Sequence, residues 1–231
     1  MYLTCTLTVI ADFLDKNFAG FDGAILTFAH NLHEAAGAVL DPILTTITHL
    51  GDKGLFFLAL AFILLIIPKT RKFGFAMAIA ALIGVIVTNV ALKNIVARVR
   101  PYEASELFRS YFEVFGIKAE SDWSFPSGHT NIAFSTMTAF FLTANKKYSW
   151  TALVLASLVA FSRIYIAIHY PTDVFAGVII GVSAGVAGFF IMKAIYKRAG
   201  NNIDGFDAPL WNKLFKGKKK EAAGQDPADS E

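Results

Sequence analysis

The stretch VFAGVIIGVSAGVAGFFIM, residues 174–192, runs for nineteen positions without a charge. A helix needs about 20 apolar residues to cross a hydrocarbon core about 30 Å thick. Four more uncharged runs lie upstream, at 54–68, 73–92, 130–145 and 148–162. The run at 73–92 also reaches the required length. The shorter ones are bounded by Lys, Arg or His, whose side chains can reach the interface and extend the usable span. A soluble fold can bury one such run, but not five in so short a chain. The composition agrees: 55% of the residues are hydrophobic and only 17% charged, and the charges are clustered. An all-α, polytopic transmembrane helical bundle of five to six spans is expected.

Short basic links separate the runs. Lys69 to Lys72 join the first two, Lys146 and Lys147 join the third to the fourth, and Lys193, Lys197 and Arg198 follow the fifth. Chain order places these clusters on one face, which the positive-inside rule makes cytoplasmic. The opposite face carries the 96–128 loop and the short Tyr170–Thr172 connection. Arg98, Arg100, Arg109 and Lys118 count against this orientation, although acidic residues share their loop.

Segments 4–14, 23–33 and 37–50 are apolar but short, broken by Asp22, Glu34 and Asp41-Pro42. Residues 1–50 therefore read as interfacial or partly inserted helices, with a sixth span from this region as the alternative. The transmembrane domain is placed at 51–198. Residues 199–231 read as a solvated, disordered cytoplasmic tail, basic and then acidic. Its Trp211, Leu214 and Phe215 among lysines would alternatively suit anionic lipid. Nucleic-acid binding is not expected. The single Cys5 rules out an internal disulfide, and acidic residues interrupt the N-terminus too early for a cleavable leader. Gly177, Gly181 and Gly185, spaced by four, suit close helix packing, within the bundle or in a dimer. The oligomeric state is open.

Polar residues converge on the face opposite the basic clusters. Lys93 ends the second run and Arg100-Pro101 follows. Pro126-Ser127-Gly128-His129 opens the third. Arg163, His169 and Asp173 lie around the junction of the fourth and fifth. Lys93 and Arg100 share a helix face if the helix continues that far. With Arg163 they suit an anion with several oxygens, arginine offering forked donors. Ser127 and Gly128 add backbone donors at a helix start, or form an ordinary cap. Asp173 can hold one nitrogen of His169 and leave the other nucleophilic, while His129 suits proton transfer. Cations here oppose a divalent ion, so no metal or other cofactor is expected. His30, His33 and His49 read as interfacial packing. Phe108, Tyr111, Phe112 and Trp123 fit either an aromatic lip or interfacial packing.

These residues, as KNIVARVRP (93–101), PSGH (126–129) and SRIYIAIHYPTD (162–173), resemble the three-part pattern of the type 2 phosphatidic acid phosphatase superfamily, with every defining position matched in order. The resemblance covers residues 50–195. It implies metal-independent phosphoryl transfer: Lys93, Arg100 and Arg163 binding phosphate with Ser127 and Gly128, His169 forming a phosphohistidine, Asp173 orienting it, and His129 acting as acid and then base. It also implies a six-helix bundle with the site at the outer face. An integral membrane protein of a bacterial plasma membrane is expected, hydrolysing undecaprenyl diphosphate, or alternatively phosphatidylglycerophosphate or phosphatidate. A lipid transporter or scramblase is the competing class.

Overall fold

The computed structural model describes residues 2–198, with side chains from residue 9 onward. The tail reading at 199–231 lies outside the described residues. All regular structure among the described residues is helical. Helix α1 covers Tyr2–Leu50, α2 Leu55–Ile66 and α3 Arg71–Val85. A π-helical segment, Ile86–Leu92, continues α3 into the short α4, Lys93–Val96. Two further short helices, α5 (Pro101–Ala104) and α6 (Glu106–Glu113), occupy the following loop. Then come α7 (Gly128–Thr143), α8 (Lys146–Tyr165) and α9 (Pro171–Arg198).

The five apolar runs fall on α2, α3 with its π segment, α7, α8 and α9. By length and composition, two stretches can cross a membrane: Pro68–Ala104 and Pro171–Arg198. A third qualifies if Val9–Leu50 and Asp52–Ile66, bent by 48°, form one span. Large apolar side chains such as Phe62, Leu82, Val90, Ile179 and Phe190 point outward from the bundle. Exposed apolar surface of that extent fits lipid rather than water.

The N-terminal region differs from the three short segments suggested by its sequence. It is helical throughout from Tyr2 to Leu50, with one break at Ala36 (φ −140°, ψ 15°). Of the acidic residues that read locally as interruptions, Asp22 and Asp41 have partners across the fold, while Glu34 lies 3.9 Å from His30 and His33 of its own helix. Asp41 accepts hydrogen bonds from the Tyr165 hydroxyl at 2.6 Å and is 3.0 Å from His33 Nδ1. Asp22 is buried against Arg98.

Helix α7 sits centrally, packed by α3, α8 and α9. Its small and hydroxylated residues are almost all buried, and the hydroxyls of Ser135, Thr136 and Thr143 turn back to the helix's own carbonyls, Thr136 to Ile132 at 2.7 Å. The glycine stripe of α9 lies against this face. A Cβ at Gly177 would stand 2.8 Å from the Ser127 carbonyl oxygen, and one at Gly185 2.6 Å from Thr138 Cβ. The stripe thus serves packing inside the bundle, letting α9 and α7 approach closely. At the far end, Phe73 packs on Phe140 and Phe75 on Tyr196. The opposite end gathers the starts of α7 and α9 with the ends of α1, α4 and α8.

Candidate active site

Helix α4 ends at Val96 because Ala97 adopts a left-handed conformation (φ 50°, ψ 39°). Lys93 and Arg100 therefore do not share a continuous helix face. They meet because the turn folds Arg100 back in extended conformation (φ −76°, ψ 154°) ahead of Pro101, the first residue of α5. Lys93, Arg100 and Arg163 are all buried. Two carboxylates from the loop before α7 bridge them. Glu120 bonds Arg100 Nη2 at 2.5 Å and also pairs with Arg163 Nη2. Asp122 bonds Arg100 Nη2 at 2.6 Å and pairs with Lys93. Burial opposes ionisation of Glu120, but Arg163 and Arg100 outweigh it and hold its carboxyl below the usual carboxylate range. For Asp122 burial also opposes, and the hydrogen bond and charge of Lys93 prevail with the help of Arg100.

His169 is fully buried in the turn between α8 and α9. Its Nε2 lies 3.3 Å from Arg100 Nη1. Arginine can only donate, so Nε2 carries the lone pair and Nδ1 the proton. Asp173 Oδ2 is 3.6 Å from Nδ1. Between them stands Ser124, whose hydroxyl donates to Asp173 Oδ2 at 2.5 Å and lies 3.4 Å from Nδ1. The Tyr170 N–H also donates to Oδ2, at 3.0 Å.

Ser127 is the N-cap of α7: its hydroxyl accepts from the Thr130 hydroxyl at 3.0 Å and the Thr130 N–H at 3.5 Å. Its own N–H donates to the Asp173 carbonyl at 3.1 Å, tying the starts of α7 and α9 together. Gly128 opens the helix beside Lys93, whose Cε would lie 4.0 Å from a Cβ there. His129, one residue on, places Nε2 3.0 Å from Asp52 Oδ1 and Nδ1 3.8 Å from Glu120. Lys93, Arg100, Ser127, Gly128, His129, Arg163, His169 and Asp173 thus all lie at this one end of the bundle.

Several partners were not legible beforehand. Arg98 is buried, and it donates to Asp15 at 2.7 Å, Asp22 at 2.9 Å, the Thr172 hydroxyl at 2.7 Å and Asp173 Oδ1 at 2.7 Å. Its guanidinium also lies 3.9 Å from the Tyr170 ring centroid. It is therefore an internal charge, not a surface one weighing on orientation, and so is Arg100. The signal was the unmatched acids Asp15 and Asp22 in an apolar helix, which require a cation. At the corner between α1 and α2, Thr48 accepts from Arg163 Nη1 at 2.7 Å. Asp52 joins His129 to His49, whose Nδ1 is 2.8 Å away. The hydrogen bond with His129 is the main reason the Asp52 carboxyl is pushed down to about 2, against partial burial. Gly51 is needed there, since a Cβ would stand 2.4 Å from His129 Cδ2.

His30 stacks on Tyr111 at 3.9 Å between centroids, away from the site. Tyr111 and Phe112 are buried in the cluster under α1 and α8 and Phe108 packs partly buried against it, while Trp123 is exposed, so of the four aromatic residues Trp123 is the most accessible. A cavity of about 1170 Å³ opens over the cations and is lined by Asp52, Lys93, Glu120, His129 and Arg163 among others. Among the described residues, no group of three or more His, Cys, Asp or Glu side chains is placed to hold a metal ion.

Fold and site together define a helical membrane protein with three buried cations gathered around a buried histidine. The chain belongs to the PAP2 superfamily, whose family model matches residues 69–198. It is 34% identical over 120 residues to an undecaprenyl-diphosphatase of Sulfolobus acidocaldarius, covering 52% of this chain and 55% of that protein. It is 33% identical over 153 residues to the bacitracin transport permease protein BcrC of Bacillus licheniformis, covering 66% and 72%. The crystal structure of a transmembrane PAP2-type phosphatidylglycerolphosphate phosphatase from Bacillus subtilis superimposes with a TM-score of 0.58 at 27% identity, covering 85% of this chain and 95% of that one. With its apolar helices and these relatives, the chain is an integral membrane protein.

Proposed function

We propose that this protein is a metal-independent lipid phosphatase acting through a phosphohistidine, with undecaprenyl diphosphate as its leading substrate. The observation that carries the reading is the His169 Nε2 lone pair, facing Arg100 within a cradle completed by Lys93 and Arg163. Arg163 Nε, buried and with no hydrogen-bond partner, adds a donor available to a ligand oxygen. Phosphate oxygens would take over the donors that Glu120 and Asp122 now occupy, with Ser127 and Gly128 at the helix start nearby. His169 Nε2 attacks the terminal phosphorus and that phosphorus's bond to the leaving oxygen breaks, the bridging oxygen of a lipid diphosphate or the lipid oxygen of a monophosphate. His129 protonates the departing oxygen, and the neutral imidazole then takes a proton from water as the nitrogen–phosphorus bond is hydrolysed. Fixed positive charge supplies most of the stabilisation of the transferring group.

The chain is read as crossing a bacterial plasma membrane five to six times, with the site on the extracytoplasmic face and the C-terminus inside. Burial of Arg98 and Arg100 removes two of the charges that opposed this orientation. The lipid enters the cavity with its chains still in the bilayer. The name of the Sulfolobus acidocaldarius relative favours an isoprenyl diphosphate, and the Bacillus subtilis structure favours phosphatidylglycerophosphate as the alternative.

Phosphate release by purified protein, with EDTA present, on isoprenyl diphosphates, phosphatidylglycerophosphate and phosphatidate tests the reading. Turnover on one of these that vanishes in His169→Ala supports it, and silence on all of them sinks it. The permease name of one relative keeps a transport reading in view. Transport that survives His169→Ala would favour that class.

A further inference from the structure

We propose that Ser124 is a positioning residue that couples Asp173 to His169, a role that rests on His169 being the group that attacks phosphorus. Asp173 Oδ2 stands 3.6 Å from His169 Nδ1, and Ser124 Oγ is nearer to the ring nitrogen, at 3.4 Å, while lying 2.5 Å from that carboxylate oxygen. The directions are consistent along the whole chain. Arg100 donates to Nε2, which leaves the ring proton on Nδ1. That proton points to Ser124 Oγ, whose own proton goes to Asp173 Oδ2. A hydroxyl, with one donor and free lone pairs, is the group that can stand in the middle.

The surroundings hold this arrangement. Asp173 Oδ1 is taken by Arg98, and Oδ2 is further fixed by the Tyr170 N–H, so the carboxylate is not free to swing towards the ring. Ser124 is fully buried, and its N–H donates to the Arg98 carbonyl at 2.8 Å. The segment carrying the hydroxyl is thus tied to the segment carrying the arginine. When the Nε2 electron pair forms the bond to phosphorus, the ring acquires positive charge. The bond to the leaving oxygen breaks with its electron pair, and that oxygen takes its proton from His129. The Nδ1 proton stays on the ring, and Ser124 passes the stabilising effect of the Asp173 charge to it.

A serine that merely caps Asp173 would matter for folding but not selectively for turnover. Steady-state phosphate release from farnesyl diphosphate in detergent separates the two. Ser124→Ala is expected to lower kcat about 10–100-fold, the loss of one hydrogen bond to a charged group, with KM within about twofold of wild type. Ser124→Thr, which keeps the hydroxyl, is expected to recover most of that loss. If Ser124→Ala does not accumulate as folded protein, Ser124→Cys takes its place and should show the same fall in kcat. Unchanged kcat, a rise in KM alone, or a threonine variant no better than the alanine or cysteine one overturns the proposal. The wild type and His169→Ala, run alongside, test the phosphatase reading separately: an inactive wild type or an active His169→Ala defeats that reading first.

Discussion

Glu120→Gln should tighten the binding of inorganic phosphate. The Glu120 carboxylate occupies guanidinium donors of both Arg100 and Arg163, the donors that the proposed function assigns to phosphate oxygens. Each hydrogen bond to a charged group contributes about 1.5–3 kcal/mol net. Glutamine keeps one acceptor oxygen for one arginine but turns an amide N–H₂ towards the other, so about one such bond is lost. At about 1.4 kcal/mol per tenfold, the inhibition constant of inorganic phosphate should fall about 10–100-fold. The KM for lipid substrate should fall with it, while kcat stays within about threefold, because the carboxylate leaves before the chemical step. Since the two arginines hold Glu120 below the usual carboxylate range, the difference should persist across about pH 5–8. Competitive inhibition of phosphate release by inorganic phosphate, measured for both proteins, is the assay. An unchanged or weaker phosphate affinity in Glu120→Gln would refute the reasoning, because it would mean the carboxylate stays beside bound phosphate rather than giving way to it.

Arg98→Gln leaves Asp22 and Asp173 buried without their cation, and should cost about 3–5 kcal/mol of stability, read as an earlier thermal transition in detergent. Gly51→Ala drives a methyl into His129 and should lower kcat at least about 100-fold, the lower end of a general acid's contribution, with smaller change in the thermal transition. Asp52 is more acidic folded than unfolded, so its contribution to stability is complete above the ordinary 3.8 and disappears as pH falls through about 2. Acid unfolding of Asp52→Asn should accordingly lack that part of the pH dependence, a modest one since Asp52 is half exposed.

The bundle helices were legible because lipid imposes long uncharged runs, and α2, α3, α7, α8 and α9 fall where those runs do. The motif residues were legible as well, since alternating spans must bring Lys93, His129, Arg163 and His169 to one end. What the sequence hid lies mostly in α1 and in the loop before α7. Asp15, Asp22 and Asp41 look like breaks in an apolar helix when read locally. Their partners Arg98 and Tyr165 are far along the chain, and only the tertiary fold shows the charges and hydroxyls meeting. Ser124, Glu120 and Asp52 were hidden for a related reason: a short polar residue in a loop has no periodicity to betray its direction. The continuous-helix route from Lys93 to Arg100 failed because Ala97 leaves the helical region.

The π-helical segment Ile86–Leu92 takes up one extra residue without re-aiming the helix. Its wider turn, with the Lys93 N–H bonded to the Thr88 carbonyl five residues back, lies between the face of α3 that packs on α7 and α9 and the lysine that reaches Asp122. Removing one residue inside it would let the turn close to regular pitch with Lys93 keeping about its present direction, whereas removing one from the regular part of α3 would turn Lys93 by about 100° relative to the packed face. The wide turn is thus the one place in this helix where its length can change without parting the lysine from the packing.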